Sequence, residues 1–248
     1  MNRTLDVLTS FWASGLRGTR GTSVRRPADA PEQLLELYEF EGCPSSRRVR
    51  EALTALDLDA MIFPCPVGGQ RFRAHVPEVP FLIDPSREQH VGGARNIVDY
   101  LFDTYGGGMS YAGGNGRLDT ARSRLATALR GGRGGRARPS RPAAEPLELY
   151  SFESSPFSRI VRETLSELEL RYQLHNVGKG AAADWLPIPL RDRLSLETPP
   201  STSHRRALAE RAGRVQVPFL VDPNTGAQMF ESSRIRDYLN KTYGGSDR

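Results

Sequence analysis

The spacing of apolar and polar residues predicts the same order of elements twice along this chain. Alternating apolar positions from Leu35 to Phe40 predict a strand, and apolar positions at helical spacing from Val49 to Leu56 predict a helix. Short apolar runs at 60–63 and 81–84 predict further strands, and residues 95–105 predict a closing helix. With one more strand expected between residue 84 and the closing helix, the order is strand, helix, strand, a break, then strand, strand, helix.

The second run repeats the first in sequence as well as in pattern. Residues 36–59 align without a gap on residues 148–171, with 14 of 24 positions identical. The segment VPFLIDP at 79–85 recurs as VPFLVDP at 217–223. Because these periods exceed a hundred residues, they are too long for a solenoid and indicate two globular units in tandem.

The duplication divides the chain into four segments. An N-terminal arm spans residues 1–33, unit one spans 34–105, a Gly- and Arg-rich connector spans 106–146, and unit two spans 147–248. The predicted fold class is α/β, with a mixed four-stranded sheet and flanking helices in each unit. We expect the arm to pack on the body or on a partner, and the units to dock, since small domains bury little surface alone.

Two stretches are expected to be irregular. The longer gap between strands in unit two indicates an insertion at about 178–214, which predicts a surface loop. In the connector, Leu118 to Leu129 predict a short helix, and the tail GGRGGRARPSRP predicts a flexible, solvated linker. Arg-Gly runs also bind single-stranded nucleic acid, but this run is short and lacks interleaved aromatic residues, so we expect no nucleic-acid partner.

The net charge of +5 is unevenly distributed. The arm carries +2, unit one −4, the connector +6 and unit two +1. The basic character therefore lies in the connecting segments rather than on the two units, which weakens the case for a nucleic-acid-binding face.

Cysteine content and hydropathy limit the cellular compartment. Cys43 and Cys65 are too few for a disulfide framework and suit a reducing compartment. The apolar stretch from Leu5 to Leu16 is too short to span a bilayer and contains Asp6. We expect a cytoplasmic protein without a membrane span; the Arg-, Ser- and Thr-rich arm leaves a plastid or other organellar transit peptide as the alternative.

The turn GCP places Cys43 at the start of the first predicted helix, with Pro44 in its first turn. Unpaired N–H groups at a helix N-terminus favour an anion, and Arg47 and Arg48 add positive charge, so the thiolate of Cys43 is expected to be stabilised. We expect the turn to expose the sulfur and make Cys43 a nucleophile; the alternative is a buried, inert cysteine. Ser46 stands where a second cysteine would complete a dithiol, so redox chemistry would be monothiol.

These motifs resemble the thioredoxin superfamily, and in particular the tandem glutathione S-transferase N-terminal domain family, which is glutaredoxin-like. GCPSSRRVREAL and SSPFSRIVRETL resemble the active-site turn and helix, and the two VPFL segments resemble the cis-proline strand. The resemblance covers both units and implies glutathione, or a related small thiol, as ligand and thiol-containing proteins as partners. The all-helical C-terminal domain of a transferase has no counterpart in this chain.

The resemblance also implies the residues that hold glutathione. Pro80 and Pro218 would follow cis peptide bonds, and the backbones of Val79 and Val217 would pair with glutathione as a strand extension. Glu231 and Ser232 would hold its γ-glutamyl carboxylate at a helix N-terminus. Unit one has Gly93 and Ala94 at those two positions, which leaves its glutathione binding open. The residues proposed to bind glutathione are Pro44, Arg47, Val79, Pro80, Ser158, Val217, Pro218, Glu231 and Ser232.

Ser155 occupies the place of Cys43 in unit two. By resemblance it could donate a hydrogen bond to the glutathione sulfur, with Ser158 as the alternative donor; the equally weighted alternative is a helix N-cap. Three functions follow: monothiol transfer at Cys43, glutathione transfer through Ser155, or a catalytically silent scaffold. Cys65 is a candidate resolving thiol, although an unreactive loop cysteine is favoured. We expect no metal, because the histidines and cysteines lack ligand spacing.

Overall fold

A computed structural model describes residues 9–10, 12, 20–111, 130–181, 184 and 200–245. Unit one contains the predicted order of elements. They are β1 (Leu35–Glu39), α1 (Pro44–Leu56), β2 (Ala60–Pro64), β3 (Phe81–Asp84), β4 (Gln89–Gly92) and α2 (Ala94–Tyr105), with short 3-10 turns at Arg73–His75 and Pro85–Arg87. The predicted helix Leu118 to Leu129 lies outside the described residues.

Unit two repeats these elements and adds one helix. They are β5 (Leu147–Ser151), α3 (Pro156–Glu167), β6 (Tyr172–Asn176), α4 (Ser203–Ala212), β7 (Phe219–Asp222), β8 (Ala227–Phe230) and α5 (Ser232–Tyr243). In each unit the first two strands are parallel and the last two are added antiparallel, which confirms the predicted mixed four-stranded sheets. Each unit therefore has the thioredoxin-like fold.

The two sheets join into one sheet of eight strands, in the order β4-β3-β1-β2-β6-β5-β7-β8. The junction is an antiparallel pair in which Ala60 faces Leu174 and Ile62 faces Tyr172. An unpaired edge strand offers a row of free backbone donors and acceptors, and this pairing satisfies one edge of each unit with the other. The expected docking of the units is confirmed, and a single apolar core runs beneath both sheets.

The expectation of a loop at 178–214 is wrong for residues 203–212, which form α4. Thr202 caps this helix by accepting a hydrogen bond from the Arg205 N–H. Leu208, which is fully buried, packs α4 on the outer face of the unit-two sheet against Tyr150 and Phe219. One apolar anchor among mostly polar residues produces too little periodicity to be recognised from sequence. Residues 182–183 and 185–199 of this stretch lie outside the described residues.

The expectation of a flexible, solvated connector tail is also wrong for its described part. Residues 130–141, the connector strap, cross from unit one to unit two: the N–H of Val67 donates to the carbonyl of Gly135 and that of Ala137 to Val67, both at 2.9 Å, and the Arg138 N–H donates to the Glu167 carbonyl at 2.7 Å. Arg130, only 4% exposed, is paired with Glu163. Backbone hydrogen bonds and buried ion pairs fix this segment despite its glycine content.

Part of the N-terminal arm packs in the equivalent way across the two units. Residues 20–28, the N-terminal strap, pair with Lys179 of unit two, whose N–H donates to Thr22 and whose carbonyl accepts from Val24, and then with the Ala55 and Leu56 carbonyls of unit one. The expected packing of the arm on the body is confirmed for these residues. The structure describes no helix long and apolar enough to cross a membrane.

Candidate functional site

Cys43 is the N-cap of α1. Its backbone is extended, with φ −83° and ψ 119°, and its sulfur accepts a hydrogen bond from the Ser46 N–H at 3.4 Å. Pro44 occupies the first helical turn, where its missing N–H leaves no bond unmade. The sulfur therefore lies at the positive end of the helix dipole, which is the position predicted from the GCP turn.

The sulfur is less accessible than the turn suggested, because Cys43 is only 8% exposed. The connector strap packs directly on the preceding residue: the Gly42 N–H donates to the Gly134 carbonyl at 3.2 Å. A Cβ at position 42 would lie 2.9 Å from the Cα of Gly135, so only glycine fits beneath the strap. The expectation that this turn exposes the thiol is therefore wrong.

Ser155 caps α3 as Cys43 caps α1. Its hydroxyl oxygen accepts from the Ser158 N–H at 3.2 Å, and the residue is 2% exposed. The N-terminal strap covers this turn, since the Ser154 N–H donates to the Gly21 carbonyl at 3.0 Å. The Ser158 hydroxyl is buried and has no hydrogen-bond partner among the described residues.

The segments before β3 and β7 contain the two cis peptide bonds that the motifs predicted, Val79–Pro80 and Val217–Pro218. Each valine is half-buried and each proline is buried. In unit one, the Pro80 carbonyl accepts from the N–H of Gly93, which caps α2. The cis-proline loop is thus hydrogen-bonded to the start of the closing helix.

The start of the closing helix differs between the units. Glu231, the N-cap of α5, has φ 74°, and Gly93, the N-cap of α2, has φ 78°. Only glycine adopts this region freely, so unit two holds a glutamate in a strained conformation where unit one does not. The Glu231 carboxylate accepts from the Gln216 side chain at 2.8 Å, and it is exposed, whereas Ser232 is 7% exposed.

The side chain of Arg47 belongs to a buried charge cluster between the units. Its Nε lies 3.6 Å from Glu153 Oε1, and both side chains are 2% exposed. Arg50 pairs with Glu153 at 2.8 Å, and its unit-two counterpart Arg162 pairs with Glu41 at 2.9 Å. The members of this charge cluster are Glu39, Glu41, Arg47, Arg50, Glu153, Arg159 and Arg162.

Two carboxyl groups of the charge cluster respond oppositely to their surroundings. Burial raises the pKa of Glu39 to about 7, although Arg50 opposes this. For Glu153, burial also raises the pKa, but Arg50, Arg162 and the other arginines outweigh it and lower the value to about 2. Glu153 is therefore the anion around which the arginines of α1 and α3 gather; we call these two helices the motif helices.

Cys65 does not have the character of a resolving thiol. It is 3% exposed, and burial together with the charge of Glu39 raises its pKa to about 12. Its S–H donates to the Phe63 carbonyl at 3.4 Å. The reactive species is the thiolate, which this environment disfavours.

Sequence reasoning missed the two straps, although a signal was present. RGTRG at 17–21 repeats as RGGRG at 130–134, so the duplication extends into segments we interpreted as an arm and a linker. The straps make equivalent bonds: Gly21 accepts from Ser154 as Gly134 accepts from Gly42. The charge cluster had no such signal, because the ion pairs that join its two halves connect residues more than a hundred positions apart.

The fold and these turns define a protein of two tandem thioredoxin-like units. A family model described as the glutathione S-transferase N-terminal domain matches residues 37–109 and 149–247. The chain belongs to this family. The comparisons with curated proteins and with solved structures gave no significant match. In the part of the chain that the structure describes, no group of three or more His, Cys, Asp or Glu side chains could hold a metal ion.

Proposed function

We propose that this protein binds glutathione and catalyses monothiol transfer at Cys43. The observation that carries this proposal is the sulfur at the N-terminus of α1, held by the Ser46 N–H and next in sequence to a first-turn proline. A helix N-terminus stabilises a thiolate, and the thiolate is the nucleophile in thiol–disulfide exchange. The other thiol, Cys65, is disfavoured as the nucleophile by its raised pKa.

Glutathione binding is supported best in unit two. The first N–H groups of α5 and the hydroxyl of Ser232 would donate hydrogen bonds to the γ-glutamyl carboxylate, and Glu231 would face the ammonium group. The backbone of Val217, beside Pro218, would pair with the cysteinyl residue of glutathione. In unit one, Val79 and the α2 N-terminus offer the same backbone groups without the two side chains.

The proposed reaction consists of two exchanges. The Cys43 thiolate attacks the glutathione sulfur of a glutathionylated protein, the protein sulfur leaves as a thiolate and takes up a proton, and a Cys43–glutathione disulfide forms. The thiolate of a second glutathione then attacks the glutathione sulfur of that disulfide. Glutathione disulfide leaves and the Cys43 thiolate is restored, so one mixed disulfide between protein and glutathione is reduced by one free glutathione.

The test is reduction of a glutathionylated peptide by wild-type protein, Cys43→Ser and Cys65→Ser. We expect activity in the wild type and in Cys65→Ser and none in Cys43→Ser. Equal rates in wild type and Cys43→Ser would contradict the proposal. Binding is tested separately by melting temperature, which glutathione must raise if it binds the folded state.

A second candidate function is a catalytically silent scaffold. The observation that favours it is the 8% exposure of Cys43 beneath the connector strap. It predicts that glutathionylated peptide is not reduced by the wild type. A third candidate, glutathione transfer through Ser155, requires its hydroxyl to donate to a bound thiol; it predicts conjugation that survives Cys43→Ser and is lost in Ser155→Ala.

A further inference from the structure

The outer faces of the two sheets, opposite the motif helices, are covered differently. In unit two α4 lies on this face, and Phe219 and Val221 of β7 are 3% and 5% exposed. The matching residues of β3, Phe81 and Ile83, are only half-buried. Within the fully described residues 34–105, the 3-10 turn Arg73–His75 stands where unit two has α4.

The residues beneath α4 have close counterparts in unit one. Tyr150, Val177, Phe219 and Val221 surround Leu208. Their unit-one equivalents, by the two repeat offsets, are Tyr38, Cys65, Phe81 and Ile83. Both units therefore have the apolar surface on which a helix could pack, but within residues 34–105 unit one has no helix equivalent to α4. Apolar side chains left partly exposed in a row are typical of a binding surface.

Phe72 and Val76 take up part of the vacant space. Val76 is 5% exposed and packs with Tyr38 and Cys65, which closes the end of the face nearest the connector strap. Met61 and Phe63 stay half-buried. Beside them lies a cavity of about 360 Å³, lined by Leu34, Glu36, Met61, Phe63 and four further residues. The open part of the face thus combines a row of apolar side chains with a recess.

The charge on this face indicates the sign of the charge that a partner would carry. In unit two, Arg211 of α4 places both terminal nitrogens on the Glu148 carboxylate, at 2.9 and 3.0 Å, and its guanidinium lies over Tyr150. Glu36 is the unit-one counterpart of Glu148. Arg171 lines the same recess but donates to the Ala144 carbonyl, and among the described residues no arginine or lysine forms an ion pair with Glu36. The face thus presents a carboxylate where the equivalent face binds an arginine.

We propose that the outer face of unit one, formed by Glu36, Met61, Phe63, Phe81 and Ile83, binds an amphipathic helix of a partner protein. That helix carries an apolar side chain over Phe81 and Ile83 and, one turn later, an arginine that pairs with Glu36. This is the arrangement of Leu208 and Arg211 on unit two, three positions apart on one helix face. The proposed binding of a helix is independent of the thiol chemistry proposed for Cys43.

The probe for this proposal is a fluorescent peptide with the sequence of residues 201–215, stapled to preserve its helix because short helices are marginal in water. Its anisotropy is titrated with full-length wild-type protein, Glu36→Arg and Glu148→Arg. We expect saturable binding that Glu36→Arg weakens about tenfold, since a good ion pair with its apolar contact contributes about 1.4 kcal/mol. Glu148→Arg tests whether the peptide binds instead in place of α4 on unit two.

A compensating peptide checks the geometry. Arg211→Glu in the peptide should restore binding to the Glu36→Arg protein and weaken binding to the wild type. Three outcomes would overturn the proposal: no saturation at millimolar peptide, sensitivity to Glu148→Arg instead of Glu36→Arg, or a protein dimer in sedimentation that Glu36→Arg dissociates. The second outcome would show displacement of α4, and the third would show that a second copy occupies the face.

Discussion

Unit one and unit two carry different parts of the proposed site. Unit one has a thiol at the helix start, a glycine at the N-cap of its closing helix and no α4. Unit two has a serine, a strained glutamate and a covering helix. Both units share the caps, the sheet and the charge cluster, on which the fold depends, whereas the side chains of the proposed ligand site vary between them.

The largest loss of stability is expected when the anion shared by the motif helices is removed. Glu153→Gln should destabilise the protein by about 3–5 kcal/mol, because it leaves buried arginines without their counter-charge. Chemical denaturation measures this loss of unfolding free energy. The dependence of the unfolding free energy on pH should also change at acidic pH. The lowered pKa of Glu153 contributes stability above about pH 4.5 that is lost as the pH falls toward about 2.

The control is Asp99→Asn, which breaks an ion pair with Arg95 whose side chains are 49% and 74% exposed. An exposed pair contributes less than about 1 kcal/mol, so little change is expected. Glu41→Gln, the symmetry-related variant, should cost about as much as Glu153→Gln. A cost for Glu153→Gln no larger than that of Asp99→Asn would contradict a structural role for the charge cluster.

The next test removes the anchor of the helix that only unit two has. Leu208→Ala should destabilise the protein by about 3 kcal/mol, because a fully buried leucine is replaced and a cavity remains. The matched exposed-face change, Glu210→Ala on the same helix, should have little effect. Equal losses from the two substitutions would mean that α4 does not pack through Leu208.

A smaller effect is expected from the contact of α4 with unit one. His204 Nδ1 lies 3.4 Å from Asp57 and 3.5 Å from Asp59, and also near the Asn176 carbonyl. Burial lowers its pKa, but the two carboxylates outweigh this and raise it to about 9. The stability from this group is complete below about pH 6.5 and is lost as the pH rises through about 9.

The expected loss in that window is up to about 2 kcal/mol, given partial exposure. His204→Gln should flatten the alkaline part of a plot of unfolding free energy against pH. If wild type and variant lose stability in parallel above pH 6.5, the contact between His204 and the aspartates is not the cause.

The smallest expected change in stability separates strain from binding. Glu231→Gly copies unit one and should raise the unfolding free energy by about 1 kcal/mol, because glycine adopts the positive φ without strain. The same variant should lose the rise in melting temperature with glutathione. A variant that is stabilised and still responds fully to glutathione would remove Glu231 from the proposed site.

The sequence predicted those parts of this protein that depend on local pattern. The strands, the caps at Cys43 and Ser155, and the prolines at 80 and 218 follow from periodicity and motif. The pairing of Ile62 with Tyr172 could not be predicted, because each edge strand reads the same whether it is free or paired. The burial of Cys43 depends on Gly134, which is distant in sequence and belongs to a segment whose composition suggested a flexible linker.

The reactivity of Cys43 is tested directly by the mass of the intact protein after incubation with glutathione disulfide. We expect one glutathione adduct, located on Cys43 by peptide mapping, present in Cys65→Ser and absent in Cys43→Ser. No adduct on the folded wild-type protein, or an adduct on Cys65, would contradict the claim that Cys43 is the reactive sulfur.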